Sequence, residues 1–510
     1  MIAFRGVGGL LLSVPPLSLE GIPGNSLDLA TSLSGYWPWV GGFFYVLLIV
    51  LSMGHVLLNK KNVRAAIGWI GLIWFAPVIG IALYYLFGIN RIKRRARARL
   101  EEFDPLDPPS TTTSPERQTD NSTLKDSRRN LAPLASLTKK VSQLPLLEGN
   151  KIDLLDRTDD AYESMIEAIR DAEESLSLCT YIFTGSGIGE RFVEEIIQAD
   201  RRGVEIRVIV DDVGARYSRP QVTRKLSQAG IPNERFMQTW LPWKFRYFNL
   251  RNHRKIMVVD GKLGFTGGLN ISNQYSSGHV DEPGLDAHFR LEGPVVAHLQ
   301  YAFADDWLFC HDENLTDEHW FPTLPPKGTV PARGLADGPD TEQNRIRQVL
   351  LGAISCANED IRLVSPYFLP DDELVSALKT ASLKDVRVDV IIPRINTSRM
   401  VQWGSAAAIQ ELLENDCNVY FSEPPFDHAK LLTVDGYWTF FGSANWDARS
   451  LKLNFEFNVE AYDEELAGTV NERIENQKRQ SRSITADEFR NRSTLRKLRD
   501  NAFRLLSPYL

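Results

Sequence analysis

Cysteine is scarce in this chain of 510 residues, and Cys179, Cys310, Cys356 and Cys417 stand far apart with no CxxC pair. That spacing counts against a disulfide scaffold or a zinc knuckle and fits a reducing compartment. An excess of positive charge is also lacking, since 58 Lys and Arg against 65 Asp and Glu leave a net charge of −7. A dedicated nucleic-acid binder is disfavoured, while local basic patches remain open. Hydrophobic residues at 43% and charged residues at 24% rule out a mostly disordered chain, a collagen or a multi-span transporter. The length corresponds to about three domains' worth of chain.

Charge is missing altogether from two stretches. No Asp, Glu, Lys or Arg occurs between Asp28 and Lys60, or between Arg64 and Arg91. Inside these gaps, residues 37–58 and 65–88 number 22 and 24. Each is long enough to cross a hydrocarbon core of ~30 Å at about 1.5 Å per residue. Trp37, Trp39, Tyr84 and Tyr85 lie near the segment ends, where amphipathic rings prefer the interface. A pair of buried core helices is the competing reading. Two long uncharged runs joined by six residues match a transmembrane hairpin better, and such helices tolerate Pro77 and the glycines. Lys60, Lys61 and Arg64 occupy the loop, whereas Arg91, Lys93, Arg94, Arg95, Arg97 and Arg99 follow the second run. The positive-inside rule then puts everything after Arg91 in the cytoplasm, with the amino terminus on the same side.

The expected organisation is an N-terminal extension (1–36), two transmembrane helices (37–90), a basic stop with a flexible tether (91–133), and two soluble domains (134–325 and 326–510). The extension is apolar but short at Gly8 to Leu12 and broken at Pro15-Pro16, so a vestigial signal and an interfacial segment both fit it. The tether is rich in Pro, Ser, Thr, Asp and Arg without hydrophobic periodicity.

The soluble body repeats itself. An amphipathic helix at Met165 to Ile169 leads to a β-rich run from Ser175 ending in Tyr181, and Leu350 to Ile354 leads likewise to Asp360 and Tyr367. A second buried strand follows in each copy, at residues 204–210 and 386–392. Helices alternating with buried strands predict a duplicated α/β layered domain. The Pro- and Gly-rich stretch from Phe321 to Pro339 marks the boundary.

The chemistry lies in a third matching piece. His253, Lys255 and Asp260 in the first copy and His428, Lys430 and Asp435 in the second both read H-x-K-x4-D. In each copy an asparagine, Asn270 or Asn445, stands 17 residues after the His. These residues, with Gly268 and Ser443, are the candidate catalytic and phosphate-binding set. In an extended run, residues two apart share a face, so each His and Lys point the same way. Asp260-Gly261 and Asp435-Gly436 are hairpin-turn dipeptides. Folding there is expected to pair His253 with Gly268 and His428 with Ser443. Each motif Asp then sits about 23 Å from its own His, where it shapes the turn or binds backbone.

Two such clusters face to face offer two histidines, two lysines and two asparagines around one anion. That set suits a phosphodiester: one His attacks phosphorus, the other protonates the leaving alcohol, and the lysines and asparagines stabilise the trigonal-bipyramidal charge. No metal or other cofactor is called for. Nothing in the residues orders the two histidines; the expectation adopted is His253 as nucleophile and His428 as general acid.

These motifs resemble those of the phospholipase D superfamily. The order of apolar hairpin, basic stop and two such domains is similar to the bacterial cardiolipin synthase family. The resemblance runs from about Trp37 to the C terminus and includes Asn252-His253-Arg254-Lys255, Gly442-Ser443-Ala444-Asn445 and Arg449-Ser450. It implies two tandem phospholipase D-like α-β-α sandwich domains behind the hairpin. It implies a phosphohistidine intermediate and the conversion of two phosphatidylglycerols to cardiolipin and glycerol at the bacterial inner membrane. It also implies a carboxylate orienting each His; Asp286 and Glu456 match, although Leu285 stands where the family has an aromatic. The implied partners are phosphatidylglycerol and anionic membrane lipid, with no nucleic acid; the sequence says nothing of oligomeric state.

The alternative is a membrane-anchored phosphodiesterase using water as acceptor on phospholipid or nucleic acid. The apolar spans favour lipid, and the acidic body counts against nucleic acid. A lipid-binding module with dead chemistry is a third class, disfavoured because both His-Lys-Asn clusters are complete. Trp240, Trp243, Phe245, Arg246 and Tyr247 precede His253 and read equally well as a lipid-facing lip or as a packed connection. The charged stretch from Glu464 to Asp500 reads as solvated helix, with Leu505 and Leu506 docking at its end.

Overall fold

The chain divides into two compact units, residues 1–90 and 91–510. The computed structural model describes residues 37–60, 63–88, 130–217, 221–237, 250–339 and 344–505. The N-terminal extension, the basic run 91–99, the tether up to residue 129, the aromatic segment 240–248 and residues 506–510 lie outside the described residues.

In the first unit, helix α1 (Trp37–Asn59) is continuous, and its one proline, Pro38, falls in the first turn where a missing N–H costs nothing. It is long and apolar enough to cross a membrane. The second apolar segment departs from the expected single span. It breaks into α2 (Val63–Phe75), α3 (Pro77–Leu83) and a π-helical turn over Tyr84–Gly88. Pro77 lacks an N–H and its ring clashes with the preceding turn, so α2 ends at Phe75. Gly80 lets the pieces close on each other, since a Cβ there would lie 2.5 Å from the Leu72 carbonyl oxygen. Tyr84 is thereby brought back to Trp69, with ring centroids 5.4 Å apart, and its hydroxyl meets His55 Nδ1 at 2.8 Å. The 13 residues of α2 extend ~20 Å, short of the ~30 Å of a hydrocarbon core.

The second unit opens with α4 (Ala132–Ser142). The first copy then runs β1 (Leu147–Leu155), α5 (Thr158–Arg170), β2 (Ser175–Thr180), α6 (Ile188–Arg202), β3 (Glu205–Asp211), α7 (Val222–Gln228), β4 (Asn233–Phe236), β5 (Ile256–Val259), β6 (Leu263–Gly267), β7 (His288–Glu292) and α8 (Val296–His311). The second copy follows with β8 (Val330–Asp337), α9 (Arg345–Cys356), β9 (Asp360–Val364), β10 (Phe368–Leu369), α10 (Asp372–Leu383), β11 (Arg387–Pro393), α11 (Arg399–Leu413) and β12 (Asn418–Ser422). It continues through β13 (Leu431–Val434), β14 (Trp438–Gly442), β15 (Trp446–Asp447), β16 (Glu456–Tyr462) and α12 (Glu464–Arg479). β17 (Arg482–Ile484), α13 (Ala486–Arg490) and α14 (Thr494–Leu505) complete it.

Among the described residues one 15-stranded sheet runs β17-β12-β11-β9-β13-β14-β16-β8-β1-β7-β6-β5-β2-β3-β4. Outward from the antiparallel β8–β1 pair, the order β8-β16-β14-β13-β9-β11-β12 repeats β1-β7-β6-β5-β2-β3-β4. The duplication in the sequence is thus a duplication in topology, joined edge to edge. The parallel neighbours β2-β3-β4 and β9-β11-β12 require crossovers, which α6, α7, α10 and α11 supply. The expected α-β-α layering follows from two outer cores and one shared inner core. Ile166, Phe192 and Val208 lie in the outer core of the first copy, and Leu350, Leu378 and Ile409 in that of the second. Phe303 and Trp307 of α8 meet Val470 and Ile474 of α12 in the shared core. There Phe289 and Phe441 stack with centroids 3.6 Å apart, an aromatic pair adding ~1 kcal/mol beyond its buried area.

Two segments serve places their sequence position does not suggest. Helix α4 precedes the first copy, yet Leu134 and Ala135 share a core with Ile346 and Leu350 of the second. Buried Arg333 fixes it there, donating to the carbonyls of Ala135 (3.0 Å) and Leu144 (3.1 Å) while pairing with Glu460 at 2.8 Å. The charged C-terminal stretch is not simply a solvated helix. α12 buries Leu466, Val470 and Ile474, β17 extends the sheet beside β12, and Leu505 is 82% exposed rather than docked.

Candidate active site

Each H-x-K-x4-D motif ends in a tight turn. Asp260 (φ 51°) with Gly261 (φ 60°), and Asp435 (φ 52°) with Gly436 (φ 58°), adopt the left-handed conformations such turns need. Lys262 N–H donates to the Val259 carbonyl and Tyr437 N–H to that of Val434, so both residues are spent closing the turns. The ladders therefore begin with Val259 opposite Leu263 and Val434 opposite Trp438, one residue out from the expected register. The expected pairing of His253 with Gly268 and of His428 with Ser443 is corrected accordingly. The motif aspartates are placed as the 23 Å separation requires. Asp260 Oδ1 accepts from the N–H groups of Glu174 (2.7 Å) and Ser175 (2.9 Å), and Asp435 Oδ1 from those of Glu359 (2.7 Å) and Asp360 (3.1 Å). Their inclusion among catalytic candidates is corrected: both carboxylates are taken up in tying the hairpin to the start of β2 or β9.

Before the ladder begins, each histidine turns to the other copy. His253 N–H donates to the Phe455 carbonyl (2.8 Å), and His428 N–H to that of Leu285 (2.7 Å). The next residue in each acceptor strand is thereby delivered to the opposite imidazole. His253 Nδ1 lies 3.0 Å from Glu456 Oε2, and His428 Nδ1 lies 2.9 Å from Asp286 Oδ2. Each carboxylate thus sits against the histidine of the copy that does not contain it.

Burial has the largest effect on both imidazoles and pushes them down to about 4; Glu456 opposes it at His253, and Lys430 reinforces it at His428. Burial also works against the carboxylate charges. At Glu456 it is outweighed by His253, Lys255 and the Ser443 hydroxyl, and at Asp286 by Lys430 and His428, so both stay below their ordinary range. Each pair is therefore a neutral imidazole beside a carboxylate. At His253 the hydrogen bond assigns the proton to Nδ1 and leaves the Nε2 lone pair available, whereas at His428 Lys430 Nζ lies 2.8 Å from Nδ1 as well as near Nε2. Burial lowers Lys255 to about 7 and Lys430 to about 8, against the pull of Glu456 and Asp286. Lys255 Nζ donates to the carbonyl of His253 at 2.7 Å; Lys430 Nζ donates to that of His428 and lies 3.0 Å from its Nε2. The charge of each lysine also reaches the histidine of the other copy, so the clusters behave as one electrostatic site.

Gly268 and Ser443 were expected on phosphate, and the structure gives them another task. Their N–H groups donate to the carbonyls of Ala287 (3.1 Å) and Phe457 (3.0 Å). The Ser443 hydroxyl donates to Glu456 Oε2 at 2.5 Å. Gly268 leaves room for the other carboxylate, since a Cβ would stand 2.1 Å from Asp286 Oδ1. Asn270 Oδ1 accepts from Ile182 N–H at 3.3 Å, and Asn445 Nδ2 donates to Ser450 Oγ at 3.3 Å. Among the described residues the buried Oδ1 of Asn445 has no hydrogen-bond partner, a polar atom facing the site.

Aromatic rings around the imidazoles were not singled out from the sequence as part of the site. Tyr181 lies 5.2 Å from His253 between ring centroids; Tyr275, Tyr367 and Phe426 lie 6.1, 6.0 and 6.1 Å from His428. Tyr181 and Tyr367 end equivalent β-rich runs in the two copies, a signal that could have placed them.

Duplicated α/β halves contributing one His and one Lys each, with exchanged carboxylates, define an enzyme of the phospholipase D class. The family model described as cardiolipin synthase, PLD-like domain, matches residues 165–307 and 350–478. The chain belongs to this cardiolipin synthase family. The major cardiolipin synthase of Bacillus subtilis strain 168 is 30% identical over 92% of this chain and 98% of its own length. Cardiolipin synthase A of Proteus mirabilis strain HI4320 is 31% identical, over 92% and 98%. Among solved structures, phosphatidylserine synthase of Haemophilus influenzae Rd KW20 shares the fold. It superposes with a TM-score of 0.58 at 15% identity, covering 74% of this chain and 100% of the other.

Proposed function

We propose that this chain is a phosphatidyltransferase that joins two phosphatidylglycerol molecules into cardiolipin and releases glycerol through a phosphohistidine intermediate. His253 Nε2 attacks the donor phosphorus, the bond to the glycerol oxygen breaks, and His428 gives that oxygen a proton. The incoming phosphate anion brings negative charge beside His428 and raises its proton affinity, so His428 takes up a proton from water as the substrate binds. Neutral His428 then takes the proton of an acceptor glycerol hydroxyl. The acceptor oxygen bonds to phosphorus and the phosphorus–nitrogen bond breaks. Lys255 and Lys430, with Asn270 and Asn445, surround the charge that develops on the equatorial oxygens.

The single observation carrying this reading is the exchange of carboxylates, His253 with Glu456 and His428 with Asp286, which makes two neutral, oriented imidazoles part of one site. The test is purified protein with phosphatidylglycerol labelled in its phosphatidyl part. Cardiolipin and glycerol in equal amounts are expected. Phosphatidic acid as the dominant product would establish the hydrolase instead.

We further infer that the chain is anchored in a bacterial inner membrane as a multi-pass protein, with its catalytic unit in the cytoplasm. Support comes from the long apolar helix α1, the apolar segment after it, and six basic residues between Arg91 and Arg99 where the apolar stretch ends. That basic run also suits anionic headgroups, each charge contributing about 1 kcal/mol near the surface.

A further inference from the structure

A surface helix of a soluble protein turns its apolar stripe to the core and its charges to water. Helix α14 does the reverse. Its one acidic residue, Asp500, is buried against the fold, where it accepts from Arg492 (2.7 Å) and Arg499 (2.7 Å). Leu495, Leu498 and Leu505 are each at least 62% exposed, and Ala502 between them is exposed as well. Steps of three and four residues put these four side chains on one stripe of the helix, on the side away from Asp500 and Phe503. Four basic residues, Arg496, Lys497, Arg499 and Arg504, accompany the stripe. Lys497 Nζ donates to the Arg490 carbonyl at 2.7 Å, a bond that leaves its charge in place.

Side-chain contacts hold the helix in this orientation. The Phe503 ring lies 4.9 Å from that of Trp403, and the Arg499 guanidinium stands 4.5 Å over the same indole. Arg492 Nη2 donates to Gln410 Oε1 (3.4 Å), and Arg504 Nη2 to Asp372 Oδ1 (2.9 Å). α14 therefore runs antiparallel to α11, with its C-terminal end beside the start of that helix. This end borders the active site. In the loop that leads into α11, Asn396 Nδ2 donates to the Pro366 carbonyl at 2.7 Å, and Thr397 Oγ1 lies 2.6 Å from the Tyr367 hydroxyl. The Tyr367 ring stands 6.0 Å from His428. Ile395 and Met400, in the same loop and the first turn of α11, are exposed as well.

We propose that α14, with Ile395 and Met400 beside its C-terminal end, is a docking surface for an anionic phospholipid bilayer that sets the His428 side of the active site against the leaflet. The leucine stripe enters the boundary between headgroups and acyl chains, while the flanking guanidinium and ammonium groups stay level with the lipid phosphates. Charge complementarity selects this occupant: the helix is basic, and its one carboxylate is turned inward. The benefit to catalysis rests on the phosphatidyltransferase reading, because a lipid donor reaches the site from the leaflet; the docking itself does not.

The experiment uses the full chain inserted in vesicles of phosphatidylcholine, with or without phosphatidylglycerol. Leu498→Cys carries a nitroxide label, and the unsubstituted chain labelled in parallel subtracts the native cysteines. With phosphatidylglycerol present, the label should gain collisions with oxygen and lose collisions with a water-soluble nickel chelate. In phosphatidylcholine alone it should stay in water. Replacing Leu495, Leu498 and Leu505 together by Ser should raise the KM for vesicle phosphatidylglycerol about tenfold, and leave turnover of a short-chain, monomeric phosphatidylglycerol unchanged. A label that stays in water with phosphatidylglycerol present, or enters both kinds of vesicle equally, overturns the proposal. A label shielded from both probes shows a protein surface over the stripe and overturns it too, as does an unchanged vesicle KM in the triple variant. Phosphatidic acid as the dominant product overturns the transferase reading and leaves the label result standing, so the two failures are distinguishable.

Discussion

Glu456 belongs to the second copy of the fold and holds Nδ1 of His253 in the first, 3.0 Å away. Asp286 returns the arrangement at His428 across 2.9 Å. Neither copy carries a complete histidine–carboxylate pair by itself, which ties the chemistry to the joint between the halves.

Replacing Glu456 by Gln should cost activity far more than it costs the fold. The amide still fills the space, but it no longer fixes the proton on Nδ1 or stabilises the imidazolium that forms. Loss of such an orienting carboxylate lowers kcat by on the order of 10⁴-fold. Initial rates of cardiolipin formation, beside far-ultraviolet circular dichroism, check this; Asp286→Asn should behave alike.

Gly268 and Ser443 occupy corresponding positions after the two histidines, yet they are not interchangeable. Gly268→Ser places a Cβ 2.1 Å from Asp286 Oδ1 and should displace that carboxylate from His428. Ser443→Gly removes a donor to Glu456 and should cost about 1.5–3 kcal/mol, the range for a hydrogen bond to a charged group. Thermal unfolding and steady-state rates of both variants test the asymmetry. Gly268→Ser should be the more severe in kcat.

The pH dependence follows from burial. Each reaction starts from neutral His253, held down to about 4, so kcat/KM should fall only as acid takes the medium toward pH 4 and protonates it. The cationic lysines, lowered to about 7 and about 8, lose charge as pH rises, and kcat/KM should fall through that range. Bound phosphate favours the charged lysines, so the alkaline limb of kcat should lie at higher pH than that of kcat/KM. Rates across pH 4 to 10 at fixed ionic strength decide it.

Asp435→Asn should act on stability. Its carboxylate accepts from the Glu359 and Asp360 backbones and from Asn130 Nδ2. An amide satisfies fewer of these donors, a loss of about 1–3 kcal/mol. Thermal unfolding should shift downward while the folded variant still forms the phosphohistidine.

Much of this was legible in the residues, for identifiable reasons. The H-x-K-x4-D spacing encodes an extended run and a turn, so the remote position of Asp260 and Asp435 could be computed from strand rise alone. The register could not be given to the residue, because Lys262 and Tyr437 are consumed by turn closure and shift the ladder by one. Asp286 and Glu456 were implied by the family resemblance alone, and sequence distance does not reveal which copy's histidine a strand will meet. That crossing depends on the backbone bonds of His253 to Phe455 and of His428 to Leu285. The second apolar segment was expected as one continuous helix and is interrupted at Pro77, where composition and length carried more weight than a residue that ends a helix. The fold of the soluble body was the most legible part, since duplicated helix–strand periodicity leaves few topologies.

The central claim is that both halves act on one phosphorus atom, and it is tested most directly by the stoichiometry of trapped intermediate. Protein incubated with phosphorus-labelled phosphatidylglycerol, quenched in alkali and mapped by mass spectrometry, should carry at most one labelled histidine per chain. His428→Asn should retain the label on His253, and His253→Asn should abolish it. Two labels on a single chain, on His253 and His428 together, would show two independent sites and contradict the account.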